Sequence, residues 1–129
     1  MLPCAGDRIL VLKEQWLNLI LRRDKTIEIR GCRFKSGRYI LGSKGKIYAD
    51  CYIGEGIPIE NMDQWQTLFH QHRVPTEFPP YKKTWALPIR DVNVMKKPIC
   101  YVHPRGAIGV VKYKAASYGQ YLNGMLRSR

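Results

Sequence analysis

The spacing of apolar residues changes character three times within the first thirty positions. Arg8 to Lys13 (RILVLK) is a short, continuous apolar run with the length of a buried strand. It passes at once into EQWLNLILRR, where Trp16, Leu17, Leu19, Ile20 and Leu21 are too continuous to alternate but give a short helix one broad apolar face. That helix is expected to stop near Arg22 or Arg23, because cations sit well at the negative C-terminal end. KTIEIR then takes a period of two, with β-branched Thr26, Ile27 and Ile29, and predicts a strand. Ile27 and Ile29 are assigned to the core, which puts Thr26, Glu28 and Arg30 together on the opposite face.

Turn signals at Gly31, KSG and GSKG bracket a strand from Arg38 to Leu41 and a longer one from Lys46 to about Ile53. IPIENMDQWQTLFHQH predicts a second helix from near Asn61, with Met62, Trp65, Leu68 and Phe69 at helical spacing. RVPTEFPPYKK holds three prolines in eleven residues and predicts an irregular surface connection. TWALPIRDV, ICYV and AIGVVKY are three further strand-like runs, with a turn at HPRG (His103 to Gly106). SYGQYLNGMLRSR reads as a polar tail or terminal helix. Strands outnumber helices, so the expected class is α+β: one domain spanning residues 1–129, built around a small, mostly antiparallel sheet or barrel with flanking helices.

Charge alters this otherwise ordinary picture. The chain carries 22 Lys and Arg against 10 Asp and Glu, a formal net charge of +12. The excess is not confined to a tail, since residues 1–50 and 51–129 each hold 11 basic and 5 acidic side chains. Lys25 to Lys46 is the densest stretch of one sign, with Lys25, Arg30, Arg33, Lys35, Arg38, Lys44 and Lys46 against Glu28 alone. Nucleic acid is the expected partner, with counterion release supplying affinity. A membrane surface is not expected, because no basic amphipathic helix with a long apolar face is evident.

Other chemistry finds less support. Cys4, Cys32, Cys51 and Cys100 show no close pairing and read as scattered thiols, and no apolar run approaches the roughly 18 residues that span a bilayer. With no secretory signal after Met1, an intracellular, reducing location is expected, nucleus and cytoplasm being indistinguishable. No P-loop, GxGxxG, HExxH or zinc-finger spacing occurs, so no cofactor and no metal is expected. His70 and His72 lie two apart, which on a helix does not share a face, and are read as solvated histidines near a helix end. Trp16 and Trp65 fall within helical apolar faces and are assigned to the core. Trp85, after YKK and at the mouth of a strand, is the candidate for base stacking. Glu28 and Arg30 share a strand face with Lys25 at its entrance, an arrangement that suits either a polar ligand or a structural ion pair.

ILVLKEQWLNLILRRDKTIEIRG resembles the N-terminal signature of the ASCH domain family, in which a strand and a helix lead into a G-x-K-x-x-E-x-R motif. YKKTWALPIRDVNVMKKPICYVHPRGAIGVVKY looks like that family's closing pattern, so the resemblance covers about residues 8–113. It implies a PUA-like fold, a small β-barrel with helices at its sides and a cleft beside the motif strand. Lys25, Glu28 and Arg30 match the motif position for position, while Arg23 stands where the family usually has glycine.

The resemblance also implies function. Family members are associated with RNA or other nucleic acid, which makes RNA the favoured partner. Phosphate contacts are then expected from Arg23, Lys25, Arg30, Arg33, Lys35 and Arg38, with Glu28 accepting a hydrogen bond from a base and Trp85 stacking. A bacterial branch hydrolyses the acetyl amide of N4-acetylcytidine, with the motif lysine as nucleophile or base and a carboxylate after the second helix assisting. By that likeness the alternative function is a small hydrolase of a modified nucleoside or of RNA, with Lys25, Glu28 and Glu77 as catalytic candidates. Glu28 stands where that branch has threonine.

Overall fold

The computed structural model describes residues 2–116; the tail from Ser117 lies outside the described residues. Strand β1 (Arg8–Val11) leads into helix α1 (Glu14–Leu21), then β2 (Ile27–Arg30), β3 (Gly37–Ser43), β4 (Lys46–Ile53) and β5 (Ile57–Ile59). Two short helices follow, α2 (Met62–Thr67) and α3 (Phe69–His72), then β6 (Thr84–Cys100) and β7 (Val110–Lys112).

Helix α1 starts and stops where the apolar pattern predicts. It buries Leu17 and Ile20 on one face, each worth about 2 kcal/mol relative to exposure. Asn61 caps α2 by accepting from the Gln64 N–H at 2.8 Å. The predicted second helix breaks at Leu68 into α2 and α3.

The last strands depart from expectation. TWALPIRDV and the first part of ICYV belong to one strand, β6, which runs unbroken through Lys96 and Lys97. It takes up the intervening polar residues as register shifts against β4, which absorb extra residues without ending the pairing. Strand β5, unforeseen in the sequence, pairs Ile57–Ile59 with Thr84–Ala86 of β6. The Ala107 N–H bonds the Pro104 C=O at 3.0 Å, closing the expected HPRG turn.

The seven strands form one sheet in the order β2-β6-β4-β3-β1-β7, with β5 on β6. Strands β1 and β3 pair in parallel and the other pairs are antiparallel. Gly42 permits the close approach of β1 to β3, since a Cβ there would lie 2.7 Å from Ile9 Cγ2 and 3.2 Å from the Lys46 carbonyl oxygen. Tyr101 bridges Ala115, and Val102 N–H bonds the Lys114 C=O, so the residues after β6 meet the residues that follow β7 and the sheet curls round. The class is α+β, as expected.

One apolar cluster joins α1 to Leu10, Leu12, Tyr39, Leu41 and Leu87; a second groups Ile9, Ile40, Ile47, Tyr101 and Val111. A third sets Ile27 and Ile29 of β2 against Trp65 of α2. No helix among the described residues is long and apolar enough to cross a membrane.

Candidate functional site

The exit from α1 sets the geometry. Asp24 N–H bonds the Leu19 C=O at 2.9 Å and Arg23 N–H bonds the Ile20 C=O at 3.0 Å, which is the Schellman closure. Its left-handed position, where glycine is usual, is filled by Arg23 at φ 67. That conformation costs an ordinary residue on the order of 1 kcal/mol. Arg23 Nη2 donates to the Val92 C=O at 2.8 Å, a contact glycine could not make. The turn therefore forms without its customary residue, and it drops Lys25 beneath the helix.

Lys25 is 1 % exposed. Its Nζ donates to the His72 C=O, lies 3.5 Å from Glu28 Oε1 and sits 5.0 Å from the centre of the Trp16 ring. Burial pulls the Lys25 pKa below its ordinary value, the Glu28 carboxylate pushes it back up, and the Arg30 guanidinium adds to the lowering. Glu28 is itself buried, and its Oε2 accepts from Arg30 Nε at 2.8 Å. Arg30 Nη2 donates to the Val11 C=O at 2.8 Å. Two cations thus share one carboxylate out of water, leaving a formal charge of +1.

The alternation predicted for β2 holds, but neither face is open to solvent along its length. Ile27 and Ile29 lie under α2, while Glu28 points to the side of Leu87, its partner in register on β6. Arg30 is the member of the triad that reaches the surface. Its side chain is 17 % exposed, and its Nη1 makes no hydrogen bond with any described residue.

Two half-buried aromatic residues are near neighbours of Arg30. The Phe34 ring centre lies 5.9 Å from the Arg30 guanidinium carbon, and Trp85 stands opposite Arg30 in the β2–β6 register. Trp16, Phe34 and Trp85 all pack on the edge of the cluster beneath α1. Gly56 lets the backbone pass close to this rim, since a Cβ there would lie 3.3 Å from Trp85 Cε3 and 3.2 Å from Arg33 Cγ. Arg33 therefore comes alongside Trp85, its side chain 62 % exposed and only loosely paired with Glu55 at 3.8 Å.

The remaining candidates are placed differently. Lys35 is exposed, and its carbonyl accepts from the Tyr39 hydroxyl at 2.7 Å. Arg38 is held between Asp7 at 3.0 Å and Asp50 at 3.1 Å, so its charge is already matched. Glu77 is exposed and makes no ion pair with Lys25; it lines a groove with Trp65, Phe69 and His72.

His70 is exposed as expected, but His72 is not solvated: it is 0 % exposed. Its ring stacks on Trp65 with centroids 3.9 Å apart. Nδ1 accepts from the Val74 N–H at 2.9 Å and Nε2 lies 3.0 Å from the Trp65 C=O, a pattern that requires the neutral tautomer with the proton on Nε2. Burial lowers its pKa in keeping with that state. The signal was present in the sequence, since His72 follows Trp65 by seven positions and so falls on the same helical stripe. Trp16, over Lys25, and Phe34, beside Arg30, carry no such signal.

Known structures share this arrangement of strands and helices. A crystal structure of ASCH from Zymomonas mobilis superposes with a TM-score of 0.66 at 13 % identity, over 94 % of both chains. A mutant of that protein matches over 97 % of both chains with a TM-score of 0.66 and 12 % identity, and a second mutant over 94 % of this chain and 96 % of its own. The chain has the fold of an ASCH domain. The ASCH fold is PUA-like, which is the curled sheet with flanking helices expected from the motif. No family model and no curated protein sequence matches the chain. Within the ASCH fold of this chain, the K-x-x-E-x-R residues form the buried triad, and Phe34 lies beside Arg30, its most exposed member.

Proposed function

We propose that the chain binds nucleic acid, RNA in preference to DNA, at the rim around Arg30. The supporting observation is the state of that arginine. Glu28 and the Val11 C=O fix two edges of its guanidinium, leaving Nη1 without a hydrogen bond to any described residue, with the Phe34 ring 5.9 Å from the guanidinium carbon and Trp85 opposite Arg30 in register. A donor oriented in advance suits a phosphate oxygen or a base acceptor, at little further entropic cost. Half-buried rings beside it suit the stacking of an unpaired base, the mode by which single-stranded RNA is read. Arg33 and Lys35 supply exposed charge for the backbone, and Trp85 the stacking face. Lys25 and Glu28 act from beneath, by fixing Arg30.

Titrating labelled single-stranded RNA at several salt concentrations tests this reading. Affinity should fall with a logarithmic slope of about 0.7 per neutralised phosphate. Arg33→Glu should weaken binding and flatten that slope. Salt-independent binding, or none, would sink the proposal.

One observation favours a second reading. A buried lysine whose pKa is lowered is the form that serves as nucleophile or base. On that reading the chain hydrolyses a modified nucleoside such as N4-acetylcytidine at Lys25, with Glu28 and Glu77 assisting. Turnover abolished in Lys25→Met would favour it, and RNA binding without turnover would favour the first.

A further inference from the structure

Across β2 from the Arg30 rim lies a groove with a different character. Ile27 and Ile29 pack toward Trp65, and the groove, of about 490 Å³, opens on the far side of that tryptophan. The Trp65–His72 stack forms its floor, Phe69, 45 % exposed, forms a wall, and Gln66 and Glu77 bring polar groups to it. Phe78, which follows Glu77 in the chain, adds a further apolar side chain that is 61 % exposed.

Charge sets this flank apart from the rest of the molecule. Seven of the ten carboxylates in the chain are ion-paired with described residues: Asp7 and Asp50 with Arg38, Glu14 with Lys44, Asp24 with Arg22, Glu28 with Lys25 and Arg30, Glu55 with Arg33, and Asp91 with Arg90. The three without a partner among the described residues, Glu60, Asp63 and Glu77, all fall in residues 54–81. That segment holds four carboxylates against the single cation Arg73, while the other positions hold 21 Lys and Arg against six Asp and Glu. Asp63 lies one turn before Gln66 on α2, and so on the groove side of the helix.

We propose that this groove docks a basic, partly apolar peptide segment of a partner protein. An arginine or lysine of the segment lays its alkyl stem on Phe69 and its head on the Glu77 carboxylate, and a neighbouring apolar side chain covers Phe78. Three features select this occupant. Unpaired carboxylates repel phosphate and attract cations, exposed rings hold cations and their stems, and the apolar patch extends beyond the space one small amine would fill. The positive remainder of the chain repels the same segment, so the field itself steers it to this flank. A second copy of the chain is a poorer occupant, because two bodies of +12 charge repel each other.

The test uses the full chain and a fluorescein-labelled peptide of alternating arginine and leucine, followed by anisotropy, with a glutamate-for-arginine peptide as control. Saturable binding of the basic peptide alone is expected. Glu77→Lys should weaken it by about tenfold, and Phe69→Ser should weaken it too. Glu77 is exposed and has no ion-pair partner among the described residues, so this variant keeps its fold, which an unchanged thermal midpoint verifies. Arg33→Glu, across β2, should leave peptide affinity unaltered while weakening RNA binding, which separates this site from the rim. Equal binding by wild type and Glu77→Lys would overturn the proposal, as would equal binding of the acidic peptide. A dimer in sedimentation that Glu77→Lys converts to monomer would also overturn it, since the occupant would then be a second copy.

Discussion

The molecule contains two three-membered ion networks of opposite composition. In one, Lys25 and Arg30 share Glu28, and the triad is almost wholly out of water. In the other, Asp7 and Asp50 share Arg38, whose side chain is 43 % exposed. The buried network holds both the shortest contact, Arg30 to Glu28 at 2.8 Å, and the longest, Lys25 to Glu28 at 3.5 Å, while the exposed pairs fall between at 3.0 and 3.1 Å. Distance is nonetheless a poor guide to consequence. Water screens the exposed network and would replace any member removed from it, whereas the buried one has no substitute for a missing partner.

Removing the shared member of the buried triad should do the most damage. Glu28→Gln leaves two buried cations facing each other, and loss of about 3–5 kcal/mol is expected in chemical denaturation. A loss below 1 kcal/mol would mean that water already reaches the site. Lys25→Met keeps the volume and leaves Glu28 with Arg30, so the main cost is the His72 C=O that loses its donor, about 1–3 kcal/mol.

The same variant gives the triad a pH signature. Lys25 has a folded pKa below its ordinary value of 10.5, so between the two the unfolded chain binds more protons and stability rises with pH. Cys51 and Tyr101, both pushed up to about 12 by burial, act in the opposite sense once the unfolded chain loses those protons. Measuring wild type beside Lys25→Met isolates the lysine: the wild type should gain on the variant as pH climbs toward 10.5. Parallel curves would show that Lys25 is not perturbed.

Arg38→Gln should have the smallest effect, below about 1 kcal/mol and shrinking with added salt. Asp7 retains the Cys4 N–H and Asp50 retains Asn93, so neither carboxylate is stranded. A loss as large as that of Glu28→Gln would erase the distinction between the two networks.

What could be read in the sequence follows the same line between local and distant causes. Period, caps and turn residues act over a few positions, so α1, the alternation of β2 and the bounds of β4 were all legible. The burial of Glu28 was not, because its cover comes from elsewhere: Trp16 above Lys25 and the Val11 carbonyl on Arg30. The unbroken β6 was hidden for a related reason, since NVMKKP looks like a connection until β4 supplies a partner that tolerates extra residues. Arg23 showed the converse. Arginine stands where the motif usually has glycine, yet the turn keeps the glycine-like conformation, accompanied by a contact to Val92, far along the chain.

The position of β1 carries a consequence for how the chain folds. It lies between β3 and β7, pairing Ile9 with Ile40 on one edge and Arg8 with Lys112 on the other. During synthesis the first strand must therefore wait, half-paired, until nearly all the described chain has been made. Such long-range closure slows folding. Until Val110–Lys112 arrives, the nascent domain shows a bare strand edge to its surroundings, the surface on which unwanted strand pairing begins.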